Sequence, residues 1–269
     1  MMGYCRLAWR LPRLLLWVLM GLLLACWVSL RSVTLPASLA HRQKLTQFWL
    51  RGLCACLPYR VQRLGELPQQ GALWLANHIS WVDIAVLGSI APLSFLSKAE
   101  VRHWPIAGWL AEQAGTLFIQ RGSGDGQQLS QQIAERLELG LPTLVFPEGT
   151  TTDGASVRTF HARLLASALE RNALIQPLAL RYRRQQQRDT LAPFIGDDDL
   201  LRHLWRLLQA PVADVEVHLL PCRQTCSTDS RRTLAASLQQ QVTQRVHGHS
   251  TATPSDSAVT PNVGIAQTM

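Results

Sequence analysis

No aspartate or glutamate occurs before Glu66, yet Arg6, Arg10, Arg13, Arg31, Arg42, Lys44, Arg51, Arg60 and Arg63 all precede it. The net charge of +8 over 269 residues is therefore concentrated at the N-terminal end. Such a segment suits an anionic lipid surface. Nucleic acid is the competing partner, and the apolar run inside the segment argues against it. The six cysteines form no framework. Cys54-Ala55-Cys56 and the Cys222, Cys226 pair lack histidines at zinc-finger spacing, and Cys5 and Cys26 flank or sit in the apolar run, so reduced thiols are expected. Ligands at metal-binding spacing are absent, and neither a metal nor a resident cofactor is expected. There is no internal repeat. A Gly-x-Ser-x-Gly elbow is also missing, which argues against a serine hydrolase.

What is present at the N-terminus is an apolar run from Leu14 to Leu30, broken only by Ser29. As a helix it reaches roughly 25 Å, short of the ~30 Å hydrocarbon core. Arg13 and Arg31 bracket it, so loop charge does not set an orientation. Three readings stand: a short single span, a helix dipping into one leaflet with both ends cytoplasmic, or a secretory signal with Leu23-Leu24-Ala25-Cys26 as a lipoprotein-like cleavage box. From Leu39 to Leu57, apolar and basic residues alternate at amphipathic spacing, fit either to lie on a membrane or to pack on a domain. The two segments together favour a membrane, expected to be the inner one with the catalytic part on its cytoplasmic face.

Beyond Pro58 short apolar runs alternate with helical patterns. Strands are expected at 59–64, 72–76, 93–96, 116–119, 142–146, 174–182 and, last, 215–220. Helices are expected at about 81–90, 105–113, 127–139 and 160–170, and the stretch around 183–188 reads as a polar loop. This alternation predicts an α/β fold, with a mixed, largely parallel sheet flanked by helices. Residues 1–60 then form membrane-anchoring helices, 61–225 a catalytic domain, and 226–269 a C-terminal helix and a tail. From His249 onward Ser, Thr and Pro dominate, and disorder is expected there.

The stretch that carries chemistry is Asn77-His78-Ile79-Ser80-Trp81-Val82-Asp83, between the apolar runs 72–76 and 84–87. It falls at a strand-to-helix corner, where α/β proteins place their sites. His78 can accept a proton near neutral pH, and Asp83 can bond its other ring nitrogen and steady the imidazolium. That supplies a base without a nucleophile, so the attacking group has to come from a substrate hydroxyl. Taken by spacing alone, the same residues read first as a capping box, with Ser80 at the N-cap and Asp83 in the first turn.

Further stretches end at expected strand termini. Gly115 to Arg121 brings Arg121 to a strand end before a glycine-rich turn, which fits either an anion seat or a solvated arginine. In Phe146-Pro147-Glu148-Gly149-Thr150, Pro147 and Gly149 force a sharp turn that holds Glu148. Glu148 could bond substrate hydroxyls, pair with Arg121, or simply decorate the turn. Pro177 interrupts an apolar segment that is either an acyl-groove lining or plain core.

In this order, the Asn77-His78 to Asp83 stretch, the segment 115–121, the 146–150 turn and Pro177 resemble the four blocks of the glycerolipid acyltransferase superfamily. The resemblance covers roughly Leu64 to Tyr182 and lies nearest to 1-acylglycerol-3-phosphate acyltransferases. It implies a membrane-bound O-acyltransferase that moves a fatty acyl group from acyl-CoA or acyl carrier protein to a lysolipid acceptor. It further implies catalytic roles for His78 and Asp83, and acceptor binding by Arg121, Glu148, Gly149 and Thr150. Lys98 matches a basic position of many relatives. The implied acceptor is 1-acyl-sn-glycerol-3-phosphate, giving phosphatidic acid. One departure matters: many phosphatidate-forming relatives follow Glu-Gly-Thr with an arginine, whereas here Thr151-Thr152-Asp153 follows. That leaves open another lysolipid such as lyso-ornithine lipid. A non-catalytic lipid-binding membrane protein is the remaining alternative, since it would keep the basic start without needing His78.

Overall fold

A computed structural model of the chain describes residues 2–34, 38–120, 126–226 and 228–248. Arg121, the glycine-rich turn after it and the tail from His249 lie outside the described residues. At the centre is β2 (Ala72–Ala76), buried at every position. A strand buried on both faces reads as an unbroken apolar run, which is why it was legible. Parallel strands flank it: β6 (Leu174–Arg184) on one side, and β5 (Thr143–Val145), β3 (Ser94–Lys98) and β4 (Leu117–Ile119) in turn on the other. Beyond β6 lies antiparallel β8 (Ala213–Leu219), with β1 (Tyr59–Leu64) parallel to it at the edge. The expected mixed, largely parallel sheet is present.

Alternation along β2 divides two hydrophobic layers. Ala72, Trp74 and Ala76 face α2 (Leu39–Cys56), α3 (Val82–Ile90) and α7 (Leu200–Gln209). Leu73 and Leu75 face α5 (Gly126–Glu138), α6 (Ala166–Glu170) and α8 (Arg231–Val246). The connection after β2 runs through α3 on the first face, while the connection after β5 runs through α6 on the second. Because β2 and β5 are neighbours, their C-terminal loops part toward opposite faces and leave a crevice between them, the usual ligand position in such sheets.

The N-terminal helix α1 (Met2–Thr34) is longer than the apolar run alone suggested. Its 33 residues extend about 50 Å. It stays against the domain along most of that length. Arg10 donates to the carbonyls of Leu208 and Ala210 at the end of α7, satisfying acceptors the helix leaves open. Trp17 and Trp49 exchange indole-to-carbonyl bonds of 2.7 and 3.1 Å. A Cβ at Gly52 would fall 1.9 Å from the Trp17 ring, so this crossing needs glycine. Near the other end, Ser29 bonds Gln113 of α4 (Ala107–Gln113) at 2.8 Å.

Four expectations are corrected. The stretch 183–188 is a hairpin: β6 runs on to Arg184 and turns through Gln185 and Gln186 into β7 (Gln187–Arg188). The strand near 215–220 is not the last, since β9 (Arg223–Gln224) follows and pairs with β6. The helix expected at 160–170 is a 3-10 turn, Ala162–Leu165, followed by α6. Finally, α7 stands between two strands where no helix is expected, and Asp199 caps it by accepting from the Arg202 amide.

Candidate active site

Between the end of β2 at Ala76 and the start of α3 at Val82, the backbone amides have no ladder or helix to join. Buried donors need partners, and two carboxylates supply them here. The amide of His78 donates to Glu148 Oε1 at 2.7 Å. Those of Ile79 and Ser80 donate to Asp83 Oδ2 at 2.7 and 3.0 Å. The corner is thus built on the side chains that the sequence marks for chemistry.

Asp83 is 0% exposed and accepts four bonds. Besides the two amides, its Oδ2 lies 2.8 Å from His78 Nδ1, and its Oδ1 accepts from the Tyr182 hydroxyl at 2.5 Å. A carboxylate facing Nδ1 fixes the proton there and leaves Nε2 with its lone pair. Phe146 stacks on the imidazole, ring centres 3.8 Å apart and 12° from parallel. The side chain of His78 keeps 18% of its surface exposed, so a substrate can reach it. Burial, the nearby Asp83 charge and the bond to Asp83 push the Tyr182 phenol well above its ordinary value, so it stays a donor.

The capping box forms only in part. Asp83 reaches back to the Ser80 amide, but Ser80 Oγ is buried with no partner, and the helix starts beyond it without a side-chain cap. Asp83 Oδ2 serves the base and this corner together, and Oδ1 serves Tyr182.

Glu148 clasps two loops. Its Oε2 accepts from the Arg158 amide at 2.7 Å while Oε1 holds His78. Burial raises its pKa, with the two backbone bonds opposing. The turn beneath it closes by a Gly149 amide to Phe146 carbonyl bond of 3.0 Å. Gly149 has φ of 68°, a left-handed conformation that favours glycine. Thr150 continues this turn, half-buried. Thr152 then donates from its amide to the His78 carbonyl at 2.8 Å, tying the corner from the other side.

The structure therefore gathers His78, Asp83, Glu148, Gly149 and Thr150 into the crevice between β2 and β5. Lys98 ends β3 on the same edge, exposed and two strands from β2, roughly 10 Å at ordinary strand spacing. Arg121 follows the end of β4 and lies outside the described residues. Pro177 is buried within the sheet opposite Leu75, so it is core. Sequence reasoning missed Tyr182 and the stacking role of Phe146. Nothing near Tyr182 signals it, because its bond to Asp83 spans 99 positions.

Comparison with known proteins follows the same outline. The profile of the Acyltransferase family matches residues 59–181. The chain is 54% identical over 254 residues to "Lyso-ornithine lipid O-acyltransferase" of Pseudomonas aeruginosa, covering 94% of this chain and 97% of that one. It is 30% identical over 195 residues to "1-acyl-sn-glycerol-3-phosphate acyltransferase" of Neisseria meningitidis, 71% and 76% of the two chains. Among solved structures, the 1-acyl-sn-glycerophosphate (LPA) acyltransferase PlsC from Thermotoga maritima superposes with a TM-score of 0.61 at 20% identity. That match covers 88% of this chain and 96% of PlsC, and it concerns the fold. With a relative so similar over almost its whole length, and with His78, Asp83 and the 146–150 turn inside the matched stretch, the chain belongs to the glycerolipid acyltransferase superfamily and is an acyltransferase of the lysolipid type.

Proposed function

We propose that the chain transfers a fatty acyl group from a thioester, carried by CoA or acyl carrier protein, to the free hydroxyl of lyso-ornithine lipid. The observation that carries the chemistry is a base with an orienter and no nucleophile of its own. His78 Nδ1 is bound to Asp83, Nε2 has no hydrogen-bond partner among the described residues, and the nearby Ser80 hydroxyl is sealed in the interior. The acceptor is then the nucleophile. Nε2 takes the proton of its hydroxyl as the oxygen attacks the thioester carbonyl, and the tetrahedral intermediate collapses to ester and thiolate. The imidazolium, held by Asp83, returns the proton to the departing sulfur. General-base help is worth about 10²–10⁴-fold.

Two features support this acceptor over 1-acyl-sn-glycerol-3-phosphate. The relative that matches nearly the full chain carries the lyso-ornithine name. In addition, Thr151 stands directly after the turn, its hydroxyl donating to the Phe194 carbonyl at 2.5 Å. A neutral, internally bonded threonine offers a phosphate dianion nothing, whereas an ornithine headgroup carries a carboxylate and an ammonium and no phosphate. Glu148, Gly149 and Thr150 shape the acceptor end by holding the turn, and Lys98 stands at the outer edge toward β4.

For the membrane, α1 is one helix long and apolar enough to cross a bilayer. Its attachment to α7, α2 and α4 at Arg10, Trp17 and Ser29 keeps it beside the domain, as a helix embedded in one leaflet would lie. Outward-facing Trp9, Leu16, Leu19, Leu23 and Trp27 form its lipid face, on the inner membrane with the site toward the cytoplasm.

The test supplies membranes containing the protein with acyl-CoA or acyl carrier protein thioesters, and with lyso-ornithine lipid or 1-acylglycerol-3-phosphate in parallel. Ornithine lipid is the expected product, and His78→Ala should remove it while the protein stays folded, with a melt lowered by no more than the loss of one donor to Asp83 explains. Phosphatidic acid made with equal or better efficiency would overturn the acceptor assignment. Undiminished turnover by the alanine variant would overturn the base.

A further inference from the structure

Beside the catalytic corner, β6 outruns β2. Leu180 is tied to Asn77 by reciprocal bonds of 2.7 and 3.1 Å, and the strand continues to Arg184 before the hairpin turn. The overrun carries Arg181 and Arg183, with Arg188 returning on β7. Together with Ile79, Asp153 and Val246 they border a cavity of about 180 Å³. Arg183 is three residues past Leu180, roughly 10 Å farther along the strand.

Three observations mark this hairpin as more than a solvated edge. Arg183 and Arg188 are direct cross-strand partners, a like-charge pairing that destabilises a sheet. The turn between them holds Gln185 at φ 52° and Gln186 at φ 64°, where glycine or asparagine is the ordinary choice. Third, the cations outnumber their carboxylates. Arg181 and Arg183 share Glu216 at 3.4 and 3.5 Å, Glu216 also takes His218 at 3.0 Å, and Arg188 has Asp153 at 2.9 Å. Asp189, also on the cavity, is consumed by Nε and Nη2 of Arg184. Arg183 also donates to the Gln186 carbonyl and Arg188 to the Asp153 carbonyl. Four guanidinium groups, those of Arg181, Arg183, Arg184 and Arg188, thus meet three carboxylates, which leaves the cavity a positive surplus.

The location narrows the ligand. Odd-numbered residues of β6 share the face of Ile175 and Ala179, away from α2 and α7 on which α1 rests. A ligand arriving here comes from water, not from lipid. We infer that the Arg181, Arg183 and Arg188 cavity seats the phosphate of the thioester donor's phosphopantetheine arm, the group common to acyl-CoA and acyl carrier protein. The inference rests on the acyl-transfer reading above, and the arm's two amide units let it reach from the hairpin to His78.

The experiment compares two donors with one acyl chain: the carrier thioester (acyl-CoA, or acyl carrier protein if CoA is refused) and the phosphate-free acyl-pantetheine. Wild type should favour the carrier thioester. Arg183→Gln and Arg188→Gln, singly and together, should raise its KM by roughly tenfold per arginine, the scale of one charge-assisted bond. The KM values for acyl-pantetheine and for the acceptor should not move. Arg188→Gln, at an exposed position, is the variant to rely on if the double substitution melts early. Equal losses on both donors, or a change confined to the acceptor, would overturn the phosphate seat while leaving acyl transfer standing. A wild type that consumes neither thioester would instead remove the acyl-transfer reading, and this seat with it.

Discussion

Asp83→Asn isolates the charge on which the proposed chemistry turns, because the amide keeps the shape of the carboxylate. Oδ2 faces three donors, the ring of His78 and the amides of Ile79 and Ser80, so the asparagine oxygen has to sit there. Its NH₂ then faces the Tyr182 hydroxyl, whose proton loses its acceptor inside the core. Exchanging charge-assisted for neutral bonds and orphaning one hydroxyl costs about 1–3 kcal/mol of stability, partly offset because a buried charge disappears. The kinetic effect is larger. When His78 takes a proton, the new positive charge faces Asp83 across a 2.8 Å contact. At charge centres roughly 4 Å apart and an effective dielectric near 20, the attraction is about 4 kcal/mol, or roughly 10³-fold in rate. Thiol release followed with a disulfide reagent, at saturating donor and varied acceptor, measures kcat and KM. The loss should fall on kcat, beneath a melting temperature lowered by only several degrees. A folded variant losing less than tenfold would mean that no imidazolium forms, and the base mechanism would be refuted.

The other expectations concern what holds that pair in place. Tyr182→Phe removes one of four donors from a sealed carboxylate and should cost about 1–3 kcal/mol in a urea melt; an unchanged midpoint would show the phenol idle. Glu148→Gln can accept at one oxygen only, so it releases either the His78 or the Arg158 amide, and activity should drop although the base is intact. Burial lowers the pKa of His203, whose Nδ1 accepts from Trp81 and whose Nε2 faces the Leu191 carbonyl. The unfolded imidazole therefore binds its proton first. Stability should be full above about pH 6.5 and decline as pH falls toward the depressed folded value, less steeply in His203→Gln. Gly52→Val would drive a side chain into Trp17, and should lift α1 from α2 with a loss of about 1–3 kcal/mol in thermal melts.

Much of the parallel sheet is readable from the chain because its strands are buried on both faces, so 72–76 and 143–145 stand out as apolar runs. The His78 and Asp83 spacing survives folding because five residues of corner keep the two side chains close whatever the rest does. What escapes is set by register and by backbone. The hairpin at 183–188 looks like a polar loop because charge and glutamine outweigh periodicity; it is a strand because β8 pairs with β6 as far as Arg183. The partners of Glu148 are amides, identical in every residue, so no side-chain pattern announces them. The Leu200–Gln209 helix is different, since apolar residues at 200, 201, 204, 207 and 208 behind the Asp199 cap do mark it in the chain.

Three consecutive amides, at His78, Ile79 and Ser80, are left over where β2 stops short of α3. A solvent-filled loop would give them to water, and the histidine between them would then be free to move. Here two carboxylates take them instead, one from the same corner and one from the turn after β5. Asp83 can orient the base only because the amides of Ile79 and Ser80 already fix its Oδ2, and Glu148 can shape the crevice only because the His78 amide anchors it. The ligand-binding edge of the sheet and the rigidity of the imidazole thus have one cause. Any change that frees those amides should therefore lower turnover and stability together, whereas changes on the arginine hairpin, which holds none of them, should separate the two.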